Sequence, residues 1–213
     1  LRDVFTPLSS GGRIALPPAQ AWGDAPLLRD WLAGAGVTAL HLTPSLGELL
    51  TEGAPEEALP RLRYAFFGGE PLTARHVERL LRLAPAATVV NFYGTTETPQ
   101  AAAYTVLERG RYRDDPERLA PAPIPIGTGV ERRQLLVVTP GGPPAGVGEL
   151  GEICVRSPLL ADGYVGADDL TRERFVGDPA DRTYRTGDLG RYLPDGAVSF
   201  HGRRDRQLKV RGH

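Results

Sequence analysis

The chain of 213 residues has no methionine, one cysteine (Cys154) and one lysine (Lys209) among its 25 basic residues. Each scarcity closes off a class of protein. A lone cysteine cannot form an internal disulfide, so a disulfide-stapled secreted domain does not fit, whereas a reducing cytoplasmic setting does. Cys154 is also a poor nucleophile, since it lies in an apolar strand-like run with no histidine placed beside it. The net charge is −1 with both signs interspersed, so there is no basic stripe for nucleic acid or for an anionic membrane surface. No run of about 18 apolar residues is present to span a bilayer, and the N-terminus lacks the basic-then-apolar order of a signal peptide. The missing methionine extends to position 1, and with both ends abrupt the chain reads as part of a longer polypeptide.

What is present belongs to a soluble globular protein, with 41% apolar and 24% charged residues. Short apolar runs at Val37 to Leu42, Arg63 to Phe67 and Thr88 to Phe92 predict buried strands. Helical spacing of apolar residues predicts helices over Pro26 to Ala35, Pro44 to Glu52 and Thr73 to Leu83, the last capped by Thr73. Strands alternating with helices imply a parallel sheet with right-handed crossovers, part of a doubly wound α/β layer. After a polar, proline-rich connection the pattern changes to short strands between Gly/Pro turns: Gln134 to Thr139, Gly148 to Val155, Arg191 to Leu193 and Ala197 to Phe200. These predict a small antiparallel sheet or barrel, interrupted by one helix at Asp168 to Phe175. The expected organisation is an α/β layer at 1–108, a connecting loop at 109–123, a β-rich subdomain at 124–204 and a hinge with the start of a further lobe at 205–213.

Chemistry-bearing residues collect where the predicted strands end, the edge at which an open α/β sheet exposes ligands. Asn91-Phe-Tyr-Gly-Thr-Thr-Glu97 delivers an aromatic, a tight turn, two hydroxyls and a carboxylate in close succession. An ATP site needs those types: a ring face for adenine, donors for phosphate oxygens, and a carboxylate for a hard divalent cation. Further along stand Tyr184-Arg-Thr-Gly-Asp-Leu189 and Gly202-Arg-Arg-Asp-Arg-Gln-Leu-Lys-Val-Arg-Gly212, with a strand block at Gly148 to Val155 before them.

Taken together in this order and spacing, these blocks resemble the adenylate-forming enzymes, and specifically the adenylation domains of nonribosomal peptide synthetases. The resemblance implies ATP and Mg²⁺ as cofactors and a carboxylic acid as substrate. It further implies a phosphopantetheine thiol on a peptidyl carrier domain as acceptor. It assigns Tyr93 to adenine stacking, Thr96 to phosphate contact and Glu97 to holding Mg²⁺, with Thr96 and Glu97 as the catalytic pair. Gly69, Glu70, Asn91, Phe92 and Gly94 complete the nucleotide set, Asp188 accepts the ribose hydroxyls, and Arg203 reaches ribose or phosphate. Asp205 falls at the hinge about which a small C-terminal lobe swings. The family's Gly/Ser/Thr-rich phosphate loop and its C-terminal-lobe lysine are not among these 213 residues, so the chain by itself is expected to be nearly inactive.

The family's selectivity positions map to Arg2, His41, Phe66, Gly68, Phe92, Gln100 and Ala101. The words around them are similar to the α-aminoadipate reductase branch over roughly the first half of the chain. Arg2, His41 and Gln100 are polar groups offered to a buried pocket, which favours a substrate with a polar or acidic side chain. The branch carries a second basic residue where Gln100 stands, which leaves the particular acid open. Two other readings remain: an acyl-CoA synthetase of the same superfamily, and a non-catalytic docking piece of a large synthetase.

Overall fold

A computed structural model of the protein describes residues 2–99, 101–107 and 123–204. Three helices of the first half begin where the sequence supplies a cap. Asp24 accepts a hydrogen bond from the Leu27 amide and starts α2 (Ala25–Gly34), with Thr43 doing the same for Leu46 at α3 (Pro44–Thr51). At α4 (Ala74–Leu83) the exchange is reciprocal, because the His76 amide bonds the Thr73 hydroxyl while the Thr73 amide donates to His76 Nδ1. Pro26 and Pro44 sit in first turns, where a missing N–H costs nothing. An eight-residue helix α1 (Arg2–Ser9) precedes them and was not anticipated from the sequence.

The crossovers join β1 (Ala39–Leu42), β2 (Tyr64–Phe67) and β3 (Thr88–Tyr93), which pair in parallel in that order. Alternation along the strands splits the sheet into two faces. Ala65, Phe67 and Val89 pack with Leu50, Leu62, Leu72, Val77 and Leu80 into the main core. On the other face His41, Tyr64, Phe66, Phe92 and Tyr104 form a chain of ring contacts. The sheet then turns mixed, because β4 (Ala103–Leu107) runs antiparallel to β3 and β5 (Thr128–Gly129) antiparallel to β4.

The second sheet is antiparallel, in the order β10 (Val198–Arg203), β9 (Arg182–Tyr192), β7 (Gly151–Ser157) and β6 (Gln134–Val138). α5 (Asp168–Arg174) leads into β8 (Phe175–Val176), which pairs with β9. Here the sequence reading needs correction. The expected short strand at Arg191 to Leu193 is the end of an eleven-residue strand, so Asp188 stands inside β9 and not in a loop beyond a strand end. Gly187 serves an irregularity within the strand. Between Glu152 and Cys154 of β7 the pairing with β9 shifts register, and Gly187 adopts φ +75°. Bulges of this kind re-aim side chains at functional sites.

Cys154 is 2% exposed on β7. Burial, reinforced by the Glu152 charge, pushes its thiol from an ordinary 9.0 up to about 12. The unfolded thiol loses its proton first, so the residue favours the native state below pH 9.0, and that contribution fades as pH rises toward about 12. Iodoacetamide at pH 9.0 is therefore expected to label the native chain about a hundredfold more slowly than the denatured chain. Mass spectrometry of timed aliquots checks this, and comparable labelling of both states would contradict the burial argument.

Candidate functional site

The carboxyl ends of β2 and β3 lie side by side and open on a cleft of about 50 Å³. Gly69, Glu70, Asn91, Phe92, Tyr93, Gly94 and Asp188 all line it. Seven of the residues that the sequence assigned to the nucleotide therefore share one cavity, although they come from three separate stretches. Its apolar wall is Leu72, Ile124, Ile126 and Phe200. Sequence reasoning missed these, since an aliphatic residue carries no sign of which cavity it will line.

Asp188 is 1% exposed, and both of its oxygens are engaged. The Tyr93 hydroxyl donates to Oδ2 at 2.7 Å, and Arg203 Nη1 donates to Oδ1 at 2.9 Å. Arg203 is also the strand partner of Asp188 across β9 and β10, so the ladder places the pair. Below it, the Thr186 hydroxyl donates to the Ile153 carbonyl and accepts from the Asp188 amide, while the Gly187 amide donates to Glu152. The Gly187 and Asp188 amides of the irregular segment are thus both hydrogen-bonded, as buried backbone requires. Burial, then the Asp188 charge, pushes the Tyr93 phenol well up, so it remains a donor. This tyrosine was expected to offer its ring to adenine; its bond to Asp188 had no signal in the sequence.

Beyond Tyr93 the chain turns at Gly94, and Thr98 closes the turn by accepting from the Thr95 amide and donating to the Thr95 carbonyl. Thr96 is left exposed and Glu97 half-buried at the rim. Tyr164, between β7 and α5, donates to Glu97 Oε1 at 2.7 Å. Burial raises the Glu97 carboxyl, but hydrogen bonds, first among them that from Tyr164, outweigh it and hold the group below the usual carboxylate range. Glu70 is anchored through Oε2, which accepts from both the amide and the hydroxyl of Ser45 at the start of α3. Its Oε1 is buried and has no hydrogen-bond partner. An acceptor left unsatisfied in a cleft wall is a group that a ligand donor would complete.

Of the expected substrate positions, His41, Phe66 and Phe92 are brought together: His41 stacks on Phe66 at 4.7 Å, and Phe66 on Phe92 at 5.6 Å. Gly68 adjoins them, since a Cβ there would stand 3.4 Å from the Phe92 carbonyl. Ala101 is half-buried just before β4. Gln100, Asp205 and the Arg2 side chain lie outside the described residues.

An open sheet with a cleft at its strand ends is the ligand-binding arrangement of an α/β protein. The family of AMP-binding enzymes matches residues 1–165, and the chain belongs to that family. It is 41% identical over 240 residues to the L-2-aminoadipate reductase large subunit of Candida glabrata, covering 99% of this chain and 17% of that protein. Malpibaldin synthetase of Mortierella alpina is 35% identical over 216 residues, covering 99% of this chain and 4% of its own length. The chain thus spans about a sixth of the reductases it matches. Among solved structures, the Vibrio cholerae adenylation domain AlmE, in complex with glycyl-adenosine-5'-phosphate, superposes with a TM-score of 0.83 at 26% identity, covering 99% of this chain and 39% of that one. PA1221, a nonribosomal peptide synthetase protein containing adenylation and carrier domains, gives 0.75 at 32% identity over 89% of this chain and 38% of its own. No helix among the described residues is long and apolar enough to cross a membrane.

Proposed function

We propose that the protein containing this chain activates an amino acid with ATP and passes it to a carrier-protein thiol. A carboxylate oxygen of the acid attacks the α-phosphorus, pyrophosphate leaves, and the acyl-adenylate remains. The phosphopantetheine sulfur then attacks the acyl carbon, and AMP departs. The observation that carries this reading is the convergence of the nucleotide positions on one cleft with a buried carboxylate, Asp188, at its edge. Asp188 accepts the ribose hydroxyls, a bidentate role that a carboxylate serves well. Arg203, already on Oδ1, keeps that carboxylate aimed. Thr96, exposed at the turn, offers its hydroxyl to a phosphate oxygen.

No three His, Cys, Asp or Glu residues gather to cage a metal among the described residues. A cation carried by nucleotide phosphates asks less, commonly one or two protein carboxylates. Glu97 fits that demand, since Tyr164 holds one of its oxygens at the rim of the site. Bound there, Mg²⁺ would neutralise charge on the phosphates. The domain scheme expected from the sequence remains part of this proposal, with residues 205–213 leading through the Asp205 hinge into a further lobe.

For the substrate, a polar or acidic side chain is favoured. His41 borders the aromatic pocket against Phe66, and the reductases similar to this chain are named for L-2-aminoadipate. The test is ATP–pyrophosphate exchange by the complete protein over acidic, polar and aliphatic amino acids. Exchange above background with one or more acids, highest for an acidic or polar one, is the expected result. No exchange with any acid would overturn the adenylation reading, and a preference for aliphatic acids would overturn the substrate assignment alone.

A further inference from the structure

Tyr164, which the sequence reading did not single out, is restrained from several sides. Its amide donates to the Thr171 hydroxyl at 2.9 Å, tying it to α5. Its ring meets Phe175 edge-on at 5.7 Å, and Phe175 in turn packs on Tyr184 at 4.9 Å. Its hydroxyl donates to Glu97 Oε1 and lies 3.3 Å from the Tyr184 hydroxyl. The preceding residue must be glycine, because Gly163 has φ +151° and a Cβ there would stand 2.5 Å from Thr171. A second tie runs alongside, as the Ala161 amide donates to the Glu97 carbonyl at 2.9 Å. The loop between β7 and α5 therefore grips Glu97 by both backbone and side chain, and its anchor is the antiparallel sheet.

We infer that Tyr164 is a positioning residue: it fixes the Glu97 carboxylate by occupying Oε1, so that Oε2 alone is presented to the metal–nucleotide complex. The inference rests on the role proposed above for Glu97. Without the phenol, the carboxylate keeps its contacts with Tyr184 and its own turn but loses the Oε1 anchor, and must be ordered further each time the nucleotide binds. A hydrogen bond to a charged group is strong enough for its loss to be measurable.

The experiment uses the complete protein with Tyr164→Phe, which keeps the ring against Phe175, and with Glu97→Gln. Binding of Mn²⁺·ATP is followed by electron paramagnetic resonance, beside exchange kinetics and melting temperature. In Tyr164→Phe the affinity for Mn²⁺·ATP is expected to fall about tenfold, while the KM for the carboxylic acid stays within about twofold and the melting temperature is unchanged. Wild-type Mn²⁺·ATP affinity in Tyr164→Phe, with Glu97→Gln still impaired, would overturn the positioning role and leave the site reading standing. Wild-type affinity in both variants would remove both. A fall in melting temperature matching the loss of affinity would make Tyr164 merely structural and equally end the inference.

Discussion

Asp188→Ala in the complete protein is expected to cut ATP–pyrophosphate exchange about a hundredfold, chiefly through a raised KM for ATP. The wild-type carboxylate stands buried between Tyr93 and Arg203, already desolvated and aimed. Two charge-assisted hydrogen bonds to the ribose are worth about 1.5–3 kcal/mol each before water compensates, and about 2.7 kcal/mol net corresponds to a hundredfold. The KM for the carboxylic acid should hardly move, because His41 and Phe66 are not among the residues that line the cleft with Asp188. Exchange within about threefold of wild type would refute the ribose assignment. A parallel rise in both KM values would point instead to a general disturbance of the sheet.

Gly127→Ala should produce the largest loss of stability. Gly127 adopts φ +80°, and an added Cβ would stand 1.9 Å from the Tyr104 carbonyl and 2.3 Å from the Thr105 hydroxyl. Neither neighbour can retreat, because Tyr104 and Thr105 belong to β4, whose ladder with β3 and β5 is rigid. The same residue is bonded across to the second sheet, its carbonyl accepting from the Val198 amide. Left-handed strain and overpacking together cost about 3–5 kcal/mol, a large share of a domain's stability. Thermal unfolding followed by circular dichroism is expected to shift down by about 10 °C. A shift below about 2 °C would mean that the two sheets are held together elsewhere.

The first half of the fold was legible because its signals are local. Asp24, Thr43 and Thr73 mark helix starts within one turn, and the short runs ending at Leu42, Phe67 and Phe92 are apolar as buried strands require. Asp188 and Glu97 were singled out through the resemblance of the motifs that hold them. Their surroundings were not. Of β9 only the end, from Arg191, read as strand, because the pairing of its earlier residues with β7 and β10 has no local signal. Tyr93 could not be matched to Asp188 across 95 residues of sequence, nor Tyr164 to Glu97 across 67. Such contacts depend on how the two sheets meet, and no spacing along the chain encodes that.

The irregular stretch of β9 carries a constraint on length as well as on identity. From Cys154 to Glu152 the partner strand advances from Arg185 to Leu189, four residues against two. An excess of two is even, so inside and outside keep their places above and below it: Val155 opposes Tyr184 at one end and Gly151 opposes Gly190 at the other. Dropping Gly187 alone would break that parity and turn the remainder of the strand inside out. Dropping Gly187 and Asp188 together would restore a plain ladder with its inward set intact. The irregularity therefore tolerates changes of length in twos, whereas an odd-numbered change would turn the rest of the strand over.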